Sequence, residues 1–323
     1  MPEREPARSA PPYDGGVSEI LNDRRLVSGP KFLKGTRFFK GHGTENDFVI
    51  LPDPDGVLDL PPARVARLCD RRAGIGADGV LRVVRSAAHP EALPMAAEAE
   101  WFMDYRNADG SIAEMCGNGV RVFARYLVLA GLAKGGDLAV ATRAGVRQVH
   151  VAADRPGEPG QVTVRMGRAG LPDPADVVVS VGEHSWPALN VSMGNPHAVA
   201  FVDDLAQAGN LYSAPSVAPG SAYPAGVNVE FVVDRGPRHV AMRVHERGSG
   251  ETRSCGTGAC AVMVAAARRD GADPALTGQP VTYTVDVPGG RLVITERVDG
   301  VVEMTGPAVI VAEGELSADW LES

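Results

Sequence analysis

Apolar and polar residues alternate along most of this chain with the two-residue period of half-buried strands. At two places the period lengthens to that of a helix, and a third stretch is apolar throughout. RFFKGHGTENDFVIL predicts two short strands around a polar turn. PPARVARLCDRR predicts a helix opened by Pro61 and Pro62, with Val65, Leu68 and Cys69 on one face. GVLRVV and AEWFMDY read as strands, and NADG at 107–110 as a turn. Val120, Phe123, Ala124 and Leu127 recur at helical spacing, with Gly131 as the stop. DLAVAT, RQVHVA and QVTVRM return to strand alternation, and AADRPGEPG reads as a loop. VVVSVG, ALNVSMG, HAVAFV, VNVEFVV and HVAMRVHE continue it. Ala259 to Ala267 is apolar on every side, which predicts a buried helix. Arg268 and Arg269 suit the negative end of its dipole, and Gly271 ends it. PVTYTVDV, RLVITE and VVEMTG close the series.

The second half of this pattern repeats the first. Asn46 in GTENDFV matches Asn195 in MGNPHAV, and Asp78 in GADGVL matches Asn228 in GVNVEF. Asn107 matches Glu246, and Cys116 matches Cys255, both at a spacing of 139 residues. Four motifs in one order predict two copies of one unit rather than a solenoid.

Composition narrows the class. With 44% apolar residues among 323, the chain has enough material for a packed core; only 5% are aromatic, so that core is aliphatic. A net charge of −8 and the absence of a basic stretch argue against nucleic acid. No apolar run approaches membrane-spanning length, so no membrane role is expected. Residues 1–36 are polar and rich in Pro and Gly, without the apolar segment of a signal peptide; a disordered extension and a cytoplasmic setting are expected. Four cysteines are too few for a disulfide scaffold, and their spacing is not that of a zinc site, so no metal is expected. Cys69 and Cys260 fall within predicted helices and read as core packing.

The other two cysteines, in MCGNGV and SCGTGA, each sit where a loop enters a helix. Free N–H groups at a helix start, aided by the dipole, form an anion site and favour thiolate over thiol. Two such turns facing one another would supply a base to one face of an α-carbon and an acid to the other. The N–H groups would hold the carboxylate onto which charge moves. A single cysteine in such a turn is as readily a small buried residue; the matched pair favours chemistry.

The segments KGHGTENDF, RRAGIGADG, FMDYRNADGSIAEMCGNG, SMGNPH, GVNVEF and ERGSGETRSCGTGAC together resemble diaminopimelate epimerase, a pyridoxal-phosphate-independent epimerase family, from Phe38 to near the C-terminus. The resemblance implies an α/β (α+β) fold of two pseudo-symmetric halves. Each would be a strongly curved, mainly antiparallel sheet wrapped around a central helix, with the active site in the cleft between them. It implies a first half over 37–160, a second over 161–306, and a segment 307–323 returning to the first half. It implies interconversion of LL- and meso-2,6-diaminopimelate by cofactor-independent, two-base proton transfer, on the path to lysine and peptidoglycan precursors, and a homodimer. By the motif match Cys116 and Cys255 are the acid/base pair. Gly117 with Asn118, and Gly256 with Thr257, grip the reacting carboxylate. Asn46, Asn107, Asn195, Asn228 and Arg247 bind the rest of the substrate. Glu246 lies near the reacting amino group, and His197 and Glu246 tune the thiols. Where some relatives carry a substrate-contacting glutamine, GADG has Gly79.

Other readings stay open from sequence. A racemase of another amino acid would use the same fold. An isomerase of phenazine biosynthesis resembles it without the cysteine pair. A thiol redox sensor would use the two thiols differently, and an amino-acid-binding protein would need only the helix starts. Taken singly, Asn46 and Asn107 could serve their turns, His197 its loop, and Glu246 with Arg247 a solvated pair.

Overall fold

The computed structural model describes residues 35–154, 160–317 and 320. All but the last two residues of the extension expected over 1–36, and the middle of the loop AADRPGEPG, lie outside the described residues. The strands in chain order are β1 (Arg37–Gly43), β2 (Asn46–Pro52), β3 (Gly79–Arg85), β4 (Trp101–Asn107), β5 (Gly136–Thr142), β6 (Gly145–Val151), β7 (Gln161–Arg168), β8 (Asp176–Val181) and β9 (His184–Ser192). They continue with β10 (Pro196–Phe201), β11 (Ser216–Ala218), β12 (Asn228–Gly236), β13 (His239–Glu246), β14 (Gly250–Glu251), β15 (Val281–Val287), β16 (Gly290–Glu296), β17 (Val301–Pro307) and β18 (Val309–Glu315). The helices are α1 (Pro62–Cys69), α2 (Gly117–Leu129), α3 (Gly256–Arg269) and the single turn α4 (Pro274–Thr277).

The strands bond into one continuous, mainly antiparallel ladder. It runs β18–β1–β2–β3–β4–β5–β6–β7 and crosses to β17 through the antiparallel pair β7–β17. From there it runs β17–β16–β15–β13–β12–β10–β9–β8–β11. Hydrogen bonding repeats itself along this path. β1–β2 is antiparallel, β2–β3 parallel, β3–β4 antiparallel, β4–β5 parallel and β5–β6 antiparallel. The succession β9–β10, β10–β12, β12–β13, β13–β15 and β15–β16 has the same signs in the same order. Each parallel pair needs a crossover; α2 supplies it between β4 and β5, and α3 between β13 and β15.

Both crossover helices are hidden by the strands around them. In α2, Val120, Val122, Phe123, Ala124 and Leu127 are fully buried; in α3 every residue from Ala259 to Ala267 is. Alanine at five of those nine α3 positions keeps the helix thin, so strands approach it from all sides. Each fully buried Val, Leu or Phe adds about 1.5–3 kcal/mol. Cys69 and Cys260 are core residues, as expected, and burial pushes both thiols up to about 12.

The first helix is shorter than its sequence pattern predicts. Helix α1 stops at Cys69, because the Asp70 carboxylate accepts the N–H groups of Arg72 and Ala73 at 2.7 and 2.6 Å and turns the chain. Helix α3 starts at Gly256, directly after the cysteine turn as its sequence predicts, because the Cys255 side chain caps it.

Candidate active site

The duplicated residues all fall at one end of their elements. Asn46 opens β2, and Asn195 immediately precedes β10. Asp78 precedes β3, and Asn228 opens β12. Asn107 ends β4, and Glu246 ends β13, each antiparallel to the strand before it. Cys116 and Cys255 are the N-caps of α2 and α3. Parallel pairing therefore sets two strand starts side by side, and the antiparallel neighbour ends beside them. The sheet edge thus collects polar residues far apart in sequence.

At the first helix start, the Cys116 sulfur accepts the Gly119 N–H at 3.4 Å and lies 3.5 Å from Asn46 Oδ1. Asn46 Nδ2 donates to Asp78 at 2.8 Å, and Asp78 is itself gripped by Arg71, which also pairs with Asp47. Asn118 Nδ2 donates to Asn46 Oδ1 at 3.2 Å and to the Ser254 carbonyl at 3.1 Å. Ser254 precedes Cys255, so this amide ties the two helix starts together. Met304 lies against both: an added Cβ on Gly117 or Gly256 would come within 2.8 or 3.3 Å of its methyl. Glycine at these two positions lets the helix starts approach.

At the second helix start, the Cys255 sulfur accepts the Gly258 N–H at 3.3 Å and lies 3.6 Å from the Thr257 hydroxyl. Asn195 Nδ2 donates to that hydroxyl at 3.3 Å, and Asn195 Oδ1 is 3.1 Å from His197 Nε2. The other ring nitrogen of His197 is 2.7 Å from Glu230 Oε1, both side chains fully buried. A chain of polar contacts thus runs from Glu230 through His197, Asn195 and Thr257 to Cys255.

The remaining candidates occupy the same end of the fold. Thr252 donates its hydroxyl to Glu246, and burial raises the Glu246 carboxyl above its usual value. Asn228 Oδ1 accepts the Arg247 N–H at 2.9 Å, and its Nδ2 donates to Pro196 at 3.0 Å. Asn228 therefore also braces the segment that carries Arg247. The Arg247 guanidinium donates to the Ala225 carbonyl at 3.1 Å and is exposed. Asn107 donates to Ser111 within its own turn and pairs across the ladder with Gly79. No side chain fits at Gly79: its Cβ would stand 2.5 Å from the Arg106 carbonyl and 2.7 Å from the Tyr105 ring.

The thiols differ from expectation. A helix start was expected to pull each down, and the N–H donors do lower them, but loss of water outweighs this. Burial, with the Glu246 charge, pushes Cys116 up to about 11. Burial, then Glu246 and Glu230, pushes Cys255 well above its usual value. Both thiols are thus protonated at neutral pH in the free site. Any reaction needing a thiolate gains base as pH rises. On the acid side of the thiol, kcat/KM is expected to rise about tenfold per pH unit. A flat rate profile between pH 6 and 9 would count against a thiolate base.

Glu230, Thr44, Ser254, Arg121 and Met304 were not among the sequence candidates. Glu230 stood in plain view within GVNVEF, but its burial against His197 comes only from the parallel pairing of β10 and β12.

Comparison with known proteins shows the family. The family model described as diaminopimelate epimerase matches residues 38–172 and 189–311. The chain is 76% identical over 285 residues to the diaminopimelate epimerase of Streptomyces coelicolor, covering 88% of this chain and 96% of that protein. It is 49% identical over 286 residues to that of Thermobifida fusca, covering 87% and 97%. Among solved structures, a phenazine biosynthesis protein of the PhzF family from Bacillus anthracis superposes with a TM-score of 0.65 at 17% identity, over 87% of this chain and 98% of that one. A hydroxyproline epimerase from Agrobacterium vitis does so with a TM-score of 0.58 at 16% identity, over 88% and 93%. These two likenesses speak to the fold alone.

Proposed function

Because this chain belongs to the diaminopimelate epimerase family, we propose that Cys116 and Cys255 are the two acid/base groups with which it interconverts LL- and meso-2,6-diaminopimelate. The observation that carries this reading is the meeting of two matched cysteine caps through Asn118 and Ser254.

One thiolate takes the α-proton, forming an S–H bond as the C–H bond breaks. The electron pair moves into the carboxylate, where N–H groups at Gly117, Asn118, Gly256 and Thr257 stabilise it. The opposite thiol then delivers its proton to the other face. Raised thiols fit this scheme. Glu246 disfavours ionisation of both cysteines, and a substrate ammonium beside Glu246 would offset that charge. Substrate binding itself then releases the base. Arg247 grips the distal carboxylate, while Asn46, Asn107, Asn195 and Asn228 read the remaining polar groups. His197 orients Asn195 and Thr257 beside Cys255. A homodimer and a cytoplasmic setting belong to the same proposal; sedimentation of the purified chain tests the first.

The deciding experiment is proton NMR of the reduced protein with LL-diaminopimelate in deuterium oxide, without added cofactor. Solvent deuterium at the α-position together with meso product is the expected result. Exchange with a different amino acid, and none with diaminopimelate, would keep the two-thiol route and overturn the substrate.

A further inference from the structure

Arg121 is fully buried in the second turn of α2 and has no carboxylate partner among the described residues. Its Nη1 donates to the Pro307 carbonyl at 2.6 Å. Its Nη2 donates to Asn118 Oδ1 at 2.6 Å and to the Thr44 hydroxyl at 3.1 Å, and its Nε has no partner. The other buried arginine among the described residues, Arg82, is by contrast paired with Asp53 and reaches Asp104. Gly43 and Gly306 close the space around Arg121: a Cβ on either would stand 3.1 or 2.5 Å from a guanidinium nitrogen. Burial pushes the guanidinium down to about 10, so it stays charged at neutral pH.

This is a costly arrangement. A buried charge without a counter-ion loses its hydration, and three hydrogen bonds to neutral groups offset that loss only in part. A cation near the start of a helix also opposes the dipole. Such a charge is sustained when a negative charge forms beside it in the working state. Arg121 reaches the Cys116 sulfur through the Asn118 amide it holds, whose Nδ2 donates to the Asn46 Oδ1 lying 3.5 Å from that sulfur, and its charge also bears on Cys260. Cys260 is sealed in the core of α3, whereas Cys116 is partly exposed at the site.

We propose that Arg121 is a positioning residue whose buried charge favours the Cys116 thiolate and whose fork fixes the Asn118 amide at the joint between the helix starts. This rests on the reading of Cys116 as an acid/base group. The Nη2–Oδ1 bond sets which end of the Asn118 amide is which. Its Nδ2 is then presented to Asn46 and Ser254. The opposing groups are named by the site. Glu246, from β13, raises the thiol, and Tyr105, from β4, is itself held neutral by burial.

The test is the pH dependence of Cys116 alkylation by iodoacetamide, read by mass spectrometry of the Cys116 peptide in the intact folded protein without diaminopimelate. Arg121→Met is expected to displace the profile upward by about one pH unit and slow alkylation near neutrality about tenfold. Its kcat/KM falls about as much near neutrality and recovers at alkaline pH. Arg121→Lys keeps the charge and is expected to hold the profile within about 0.3 unit, with a larger change in KM as the fork on Asn118 is lost. A folded Arg121→Met protein with an unmoved profile overturns the proposal and leaves Arg121 a strut. Should Arg121→Met not fold, Arg121→Lys decides alone: a profile displaced by a full unit overturns it. Alkylation needs no turnover, so failure here is distinct from failure of the epimerase reading.

Discussion

Replacing Cys116 or Cys255 by alanine is expected to lower turnover by at least about a thousandfold, within the 10²–10⁴ range typical of a lost acid/base group. Both sulfurs cap helices, at sulfur-to-nitrogen distances of 3.3–3.4 Å, but weakly, because a thiol sulfur is a poor acceptor. Alanine therefore costs each helix start about 1 kcal/mol or less, and the fold survives. The helix-start N–H groups proposed to hold the carboxylate belong to the backbone and remain. Binding of diaminopimelate, followed by calorimetry, is thus expected to change far less than kcat. The two variants should also differ in kind. Each keeps one thiol, so each retains the means to exchange a proton on one face without completing inversion. Near-wild-type kcat in either variant would falsify the two-base assignment.

Replacing Glu230 by alanine is expected to destabilise the fold by about 3 kcal/mol and to lower turnover as well. Glu230 and His197 are both fully buried, and Nδ1 and Oε1 stand 2.7 Å apart. Removing one member of a buried pair strands the other, and such losses run to about 3–5 kcal/mol. Glu230 Oε2 has no partner of its own, which places the change at the lower end. The functional loss follows from geometry. His197 then has nothing behind it to hold its ring against Asn195, and the Asn195–Thr257–Cys255 contacts loosen. Glu230→Gln keeps an acceptor for the ring and should recover most of the stability. Urea unfolding of both variants reads the first effect; a Glu230→Ala midpoint equal to that of the unaltered protein would show that the pair contributes little.

Much of this was legible in the chain. Strands such as VTYTVDV and GVLRVV announced themselves by composition and alternation, and α3 by an apolar run that no surface helix carries. The matched Asn46/Asn195 and Cys116/Cys255 positions were visible because duplication keeps spacing. What stayed hidden was set by contacts between distant segments. The three-residue β11 and two-residue β14 are too short to show a period and exist through their bonds to β8 and β13. Arg121 in CGNGVRVF looks in sequence like an ordinary polar position on a helix. Only the packing of Gly43, Gly306 and Pro307 around it reveals a buried charge. The direction of the thiol shift was also out of reach, because it is a contest between helix-start donors and desolvation, and burial is decided by the whole fold.

The two thiols sit in unlike surroundings: Cys116 is partly exposed beside the neutral Asn46 amide, Cys255 buried near Glu230 and Glu246. With the two thiols as the proposed bases, the two directions of inversion begin from different surroundings, and their maximal rates and isotope effects need not match. Their ratio of kcat/KM has no such freedom. A catalyst leaves the equilibrium between its substrates where it found it, so the quotient of the two specificity constants must equal the equilibrium constant of the uncatalysed interconversion. Whatever unevenness the protein built into its two faces must cancel in that quotient, each gain in turnover in one direction being matched by a change in affinity or in the reverse rate.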